Sequence, residues 1–337
     1  MVLPPGGHGK PRESKMTRLV QSPLGQSLRM PRTLQPAASA QRWIAVITIM
    51  VPTMATAAAI GLAVTGVARP SRFALVITGA LCLITQLGIT IGFHRFFAHR
   101  SFETVPVVRL LLGIAGSMAA QGPLLFWVSE HRQHHQKSDS VGDPHSPYRI
   151  GAATLSSLRG FWHAHVGWML DHGSDAWQAN ARDIFSERLS LRISQFYLWW
   201  VAAGVFLPGL MAGFWHRSLK QAALGALWGG LVRIFLVHHA TWSVNSVGHM
   251  VGRRAFATPD QSRNNRFIAL ITFGEGWHNN HHAFPSSARH GLERWQWDMS
   301  YAVIKLLVRA GLASKLKLPP ASVVELRKTR KGVEVAS

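Results

Sequence analysis

There is one cysteine in the 337 residues, Cys82. That excludes an internal disulfide and any cluster of thiolate metal ligands, leaving histidine, carboxylate and water as possible donors. Charge is scarce as well: Asp, Glu, Lys and Arg make up 15% of the chain, against about 25% in a typical soluble domain. What charge there is leans one way, with 36 Lys and Arg to 15 Asp and Glu and a formal net charge of +21. No zinc-finger, helix-turn-helix or RNA-recognition signature accompanies the excess, so nucleic acid is set aside as a partner. The Gly-x-Gly-x-x-Gly dinucleotide fingerprint is missing, as is any fused haem-binding domain. His-Glu-x-x-His is also absent, because Glu130 precedes its histidine instead of following it. So is the pair of Glu-x-x-His motifs that builds soluble di-iron bundles. Beyond one recurring His-x-x-His-His pattern there is no internal repeat, and coiled-coil heptads do not occur.

The shortage of charge points to a membrane, where a basic excess reads as the positive-inside bias of cytoplasmic segments. Residues 1–42 are rich in Pro, Gly, Ser and Arg with Glu13 as their one acid, and are expected to form a disordered basic tail. Uncharged runs follow at 43–68 and 73–92, separated by Arg69-Pro70-Ser71-Arg72. Two more apolar runs lie at 193–215 and 221–243, each meeting the ~20 residues needed to cross a bilayer. Arg233, inside the last, must face the bundle interior or find a partner. The stretch 110–128 is apolar enough to be a fifth span. Crossing there would strand the histidines before and after it on opposite faces, so it is expected as an interfacial helix. The fold expected is an all-α membrane protein with four transmembrane helices as two hairpins. Both termini then share one face, made cytoplasmic by Lys10, Arg12, Lys15, Arg18, Arg327, Lys328, Arg330 and Lys331. Residues 317–337 are expected as a basic C-terminal tail.

Against this background the histidines are concentrated. His131, His134 and His135 recur at i, i+3 and i+4, which sets three imidazoles on one helical face. His278, His281 and His282 repeat the pattern, and His94 and His99 precede both. On an ideal α-helix positions five apart diverge by about 140°, so the helix is expected to end or unwind between His94 and His99. Neutral imidazole suits iron, zinc, copper and nickel, and eight imidazoles exceed what a single ion takes. A solvated basic helix surface is the bland reading of any one cluster, and three clusters outweigh it. The expectation is a histidine-rich dinuclear centre in a cytoplasmic helical cap. Glu130, Asp139, Asp143 and Glu275 are placed behind the imidazoles, accepting their distal N–H groups, with direct coordination by Glu275 as the alternative.

His94-Arg95-Phe96-Phe97-Ala98-His99, Glu130-His131-Arg132-Gln133-His134-His135 and Gly274-Glu275-Gly276-Trp277-His278-Asn279-Asn280-His281-His282 resemble the three histidine boxes of the integral-membrane fatty acyl desaturases. They come closest to the delta-9, stearoyl-CoA-desaturase-like branch. Asp143-Pro144-His145, Gly167-Trp168-Met169-Leu170 and the run Thr241-Trp242-Ser243-Val244-Asn245-Ser246-Val247-Gly248-His249 resemble further signatures. The likeness runs from about Phe73 to Leu316, and would make 43–316 the desaturase domain. It implies two irons on the eight box histidines plus His249, with Asn245 holding a water at one of them. His163, His165, His172, His238 and His239 fall outside the ligand set. By the same resemblance Gln121, Trp127 and Thr241 sit where a dry tunnel bends the acyl chain, and Trp168 and Trp242 lie near its head group. The implied activity is O2-dependent insertion of a cis double bond into a long saturated chain, with electrons from a separate ferredoxin or b-type cytochrome and its reductase. The acyl-CoA enzymes carry basic residues at positions that here read Ser129 and His172-Gly173. The carrier is therefore open among CoA, lipid and carrier protein, with Arg159 or Arg182 as substitutes. Hydroxylation by the same boxes, and a non-catalytic metal-binding membrane protein, are the alternatives.

Overall fold

The computed structural model describes residues 38–171 and 180–328. The expected tail up to residue 37, His172 and residues 329–337 lie outside them.

Four helices are long and apolar enough to span a membrane, and the other described residues form shorter helices, loops and two two-stranded β pairs. The four are α1 (Ala38–Val64), α2 (Arg72–Ala98), α5 (Tyr197–His216) and α6 (Leu219–Met250). The expected runs caught all four and misjudged their ends. Ser71 caps α2, its Oγ accepting from Ala74 N–H at 3.1 Å, so the helix begins once the Arg69–Ser71 turn closes. Between α5 and α6 the chain reverses in two residues. Arg217 adopts φ +48° and Ser218 Oγ accepts from Gln221 N–H. The third run starts at Tyr197 instead of 193 because Arg188–Gln195 forms a separate short helix. The fourth continues well past 243, and this extension carries Asn245 and His249 into the cap.

The 110–128 stretch is not one interfacial helix. It divides into α3 (Pro106–Met118) and α4 (Leu124–Lys137) around a break at 119–123. Ala120 has φ +60° and Gly122 φ +101°, a conformation glycine tolerates, and Pro123 can only begin a new helix. At 13 residues and 1.5 Å per residue, α3 is about 20 Å long, too short to cross. It lies against α2, where Gly88 and Gly116 meet so closely that a Cβ on Gly88 would stand 2.3 Å from Gly116 N. The main apolar core fills the space between α2, α3 and α4 with Phe93, Phe97, Leu124, Val128 and Ile193.

Past α6 the chain builds the cap from α7 (Arg266–Ile271), α8 (His278–Ala283), α9 (Met299–Arg309) and α10 (Ala321–Arg327). The described part of the expected C-terminal tail is folded onto this cap. Val324 is buried against Phe256 and Phe284, and Lys328 pairs with Glu293 at 2.6 Å. Val323 packs against the same cluster and Arg327 lies over the Phe284 ring, so two apolar positions and the stems of basic residues anchor a stretch that reads as basic.

Candidate metal centre

Three winding patterns deliver the histidines. On α4, ordinary α-helical spacing brings His131, His134 and His135 to the face that meets α2 and the cap. α8 does the same for His278, His281 and His282. The lower part of α2, Gly88–Ala98, winds as a π-helix. His99 N–H there donates to His94 C=O at 3.1 Å, an i→i+5 bond that stacks residues five apart. The two imidazoles consequently meet edge to face, centroids 4.9 Å apart. The helix does end between them, at Ala98 with His99 as its C-cap, but it does not unwind first. It widens.

The imidazoles gather into two groups, His94, His99, His131, His135 and His281 in one and His134, His249, His278 and His282 in the other. Within each, the candidate ligand atoms lie within 4.8 Å of one another. The groups adjoin, with His135 stacked on His282 at 4.5 Å. Nitrogen separations decide whether a cation fits. Nε2 of His94 is 3.0 Å from Nε2 of His281, which is 2.9 Å from Nε2 of His135. In the second group Nε2 of His278 lies 3.0 Å from that of His249 and 3.1 Å from that of His282. Carboxylates occupy the opposite edges of these rings. Asp143 contacts His134 Nδ1 at 3.0 Å, Asp139 His249 Nδ1 at 2.8 Å and Asp260 His282 Nδ1 at 2.7 Å. Glu275 contacts His94 Nδ1. A carboxylate on Nδ1 keeps the proton there and turns the Nε2 lone pair inward. Facing lone pairs repel, whereas two donors bound at right angles to one ion at about 2.1 Å stand ~3.0 Å apart. The donor set thus has the spacing and polarity of two shared cations, and His134 Nε2 is buried without a hydrogen-bond partner among the described residues.

Electrostatics agree. Burial first, then the neighbouring imidazoles, push His99, His131, His135, His278 and His281 well below the usual histidine range. His282 falls to about 4, burial outweighing the Asp260 hydrogen bond. All are neutral donors at pH 7. Burial works to raise Glu275, yet His94, His290 and Arg95 outweigh it and hold its carboxyl well below the carboxylate range. The same balance, with His134 as the chief partner, lowers Asp143.

Of the carboxylates expected behind the imidazoles, Asp139, Asp143 and Glu275 stand there, and Glu130 is buried one position before His131. Asp260 was missed, since nothing in its spacing links it to a histidine 22 residues on. His290 was missed too. It is buried, 3.3 Å from Glu275 and with its ring 4.4 Å from that of His281. Arg95, fully buried, ties Glu275 (3.0 Å) to Asp298 (2.9 Å). His145, part of a recognised signature, stacks on His134 at 4.3 Å. Asn245 is half-buried, one turn before His249 on α6.

Three of the residues assigned to an acyl bend come together beside the first group. Gln121 Nε2 donates to Thr241 Oγ1 at 2.9 Å, and Trp127 Nε1 donates to Gln121 Oε1 at 3.3 Å. Trp127 also stacks on His131, centroids 5.1 Å apart. Trp168 and Trp242 are separate from this trio. The first meets His145 at 5.6 Å and the second His165 at 5.9 Å. His163, His165, His238 and His239 stand outside both groups. His165 bridges His239 (3.0 Å) and Ser246 (2.9 Å).

Comparison with known proteins bears on what this arrangement serves. The fatty acid desaturase family model matches residues 70–303. The chain is 42% identical over 247 residues to a hex-5-enoyl-[acyl-carrier protein] acetylenase of Moorena producens, covering 73% of this chain and 77% of that protein. It is 38% identical over 256 residues to an sn-1 stearoyl-lipid 9-desaturase of Anabaena variabilis, with 74% and 87% covered. To an icosanoyl-CoA 5-desaturase of Limnanthes douglasii it is 39% identical over 238 residues, with 69% and 62% covered. With that match over more than half its length, and with four apolar helices and two adjoining histidine groups, the chain belongs to the fatty acid desaturases, membrane oxidoreductases that act on acyl chains.

Proposed function

We propose that this desaturase inserts a cis double bond at the delta-9 position of a long saturated acyl chain carried by lipid or CoA. The observation that carries the reading is the pair of adjoining, inward-facing imidazole groups, the first of which lies against the Trp127–Gln121–Thr241 trio through His131. His94, His99, His131, His135 and His281 would hold one iron. His134, His249, His278 and His282 would hold the other, with Asn245 contributing through a water. Neutral nitrogen donors suit such ions, and iron bound here would supply the power, with O2, to take hydrogen from unactivated C–H bonds. The balance is one –CH2–CH2– unit, O2, two electrons and two protons in, one –CH=CH– unit and two waters out.

The chain's own residues do the rest. Asp139, Asp143, Asp260 and Glu275 hold the imidazoles in one tautomer and orientation, and Glu130 is buried one position before His131. The Trp127 ring covers His131 and closes the acyl side against water, while Gln121 and Thr241 mark the bend. Trp168 and Trp242 lie toward the head group. The carriers named for the relatives differ at similar identity (carrier protein, lipid, CoA), so the head group is set by residues outside the boxes. The short links at 65–71 and 217–218 support two hairpins, with the cap and both termini in the cytoplasm near a separate electron carrier such as ferredoxin or a b-type cytochrome.

Expression in a desaturase-deficient host, followed by gas chromatography and mass spectrometry of its fatty acids, tests the reading. A single new acyl species lighter than its substrate by two hydrogens is expected. An alcohol would replace desaturation by hydroxylation, and an unchanged profile would remove the catalytic reading.

A further inference from the structure

α6 carries two buried basic side chains that contact neither histidine group and no carboxylate among the described residues. Arg233 is fully buried and spends its guanidinium on neutral acceptors. Nε donates to Gly229 C=O in its own helix at 2.9 Å, Nη2 to Gly204 C=O of α5 at 3.1 Å, and Nη1 to Met118 C=O at 2.9 Å. One and a half turns further on, His238 Nε2 is 2.8 Å from Ala119 C=O and 3.1 Å from Ala120 C=O. These carbonyls belong together. Met118, Ala119 and Ala120 are the last turn of α3 and the start of the break at 119–123, where a helix leaves its C=O groups without intrahelical donors. In an apolar surround such groups must find partners, and α6 supplies all three.

The next residue is Gln121, held at its side chain by Thr241 (2.9 Å), again from α6. Gly122 N–H then donates to the Tyr197 hydroxyl at 2.9 Å. The break is thereby fastened residue by residue, mostly to one helix. That helix also carries Asn245 and His249. From Thr241 to His249 is eight residues, about 12 Å of rigid helix, so α6 sets the distance between the break and the imidazole groups.

The geometry points to Arg233 and His238 as positioning residues for the site of desaturation. By pinning the Met118–Ala120 carbonyls they fix where the acyl chain turns relative to the carbons brought to the metals. This inference rests on the reading that Gln121, Trp127 and Thr241 flank the acyl bend. Freed from the clamp, the break relaxes along α6, and neighbouring carbons compete for the reactive position.

The test compares His238→Leu, which cannot donate, with His238→Gln, which can, in the full-length membrane enzyme. Double-bond position is read by mass spectrometry of derivatised products, and iron per chain is read by elemental analysis. His238→Leu is expected to yield a second positional isomer at roughly one part in ten or more, the level at which preference between carbons has fallen to about tenfold. Iron content should be unchanged, and His238→Gln should restore the single isomer. Arg233→Lys, which keeps the charge but loses the fork that reaches three carbonyls, provides a second arm should His238→Leu fail to accumulate, and is expected to mix isomers in the same way. A single wild-type isomer from His238→Leu and Arg233→Lys, at whatever rate, overturns the proposal. Thr241→Val separates the two levels of the argument. If it mixes isomers while the clamp variants do not, only the clamp falls. If none of them does, the assignment of the bend falls with it.

Discussion

Asp260→Asn isolates one half of the centre. Asp260 is buried, 4% exposed, and its Oδ2 accepts from His282 Nδ1 at 2.7 Å. Its other oxygen receives Ser262 N–H at 3.0 Å and Thr258 Oγ1 at 2.9 Å, so the carboxylate is locked before any metal arrives. Asparagine keeps the shape and an acceptor but not the charge that makes His282 a better donor. Loss of such an outer carboxylate costs about 10- to 100-fold in metal affinity, or ~1.4–2.8 kcal/mol. The amide should fall near the lower figure and Asp260→Ala near the upper. His282 belongs to one imidazole group only, so the damage should be one-sided. Titrating detergent-purified protein with an iron chelator and measuring iron per chain should show one ion leaving at about tenfold lower chelator, the other holding at its wild-type concentration. Simultaneous loss of all iron, or a titration identical to wild type, would refute the assignment of two separately held ions.

His134→Ala and His281→Ala each remove a donor from a different group, and either should abolish unsaturated product while lowering bound iron. Gly274→Ala places a Cβ 2.6 Å from Asp298 Oδ1 at a backbone φ of +116°. A fall in stability of about 2 kcal/mol, seen as a lower thermal midpoint, is expected, and an unchanged midpoint would contradict the geometry. Asp183 accepts from Arg100 and Arg132. Burial raises its carboxyl, but the two arginines outweigh burial and the net shift is downward. A depressed carboxyl stabilises the fold above the unfolded value near 3.9 and loses that contribution as pH falls through the folded value. With its side chain 46% exposed the effect is at most about 1 kcal/mol. The thermal midpoints of wild type and Asp183→Asn should differ at pH 7 and draw together below pH ~4.

Much of the site was readable because its signals are local. The i, i+3, i+4 spacing of His131, His134 and His135 names a face without knowledge of the fold, and long uncharged runs name a span. What stayed hidden depends on tertiary contact or on winding. Nothing in Gly88–Ala98 distinguishes a π-helix from an α-helix by apolar pattern, so the shared direction of His94 and His99 could not be foreseen. Asp260 and His290 lie outside the boxes and reach them only because the cap folds back over α6. The break at 119–123 did have a local mark, Gly122-Pro123. Hydropathy averaged over 110–128 smoothed it away.

Glu275 meets Arg95, 180 positions before it in the sequence, and the adjacent His94, and that span has a consequence for biogenesis. While the early helices are already in the bilayer, His94 still lacks the carboxylate that orients it, and His281 is not yet made. A ribosome stalled before the last quarter of the message would leave a membrane-inserted, correctly wound and incapable protein. Neither imidazole group is therefore complete until the last quarter of the chain, which carries His278, His281 and His282, has been made.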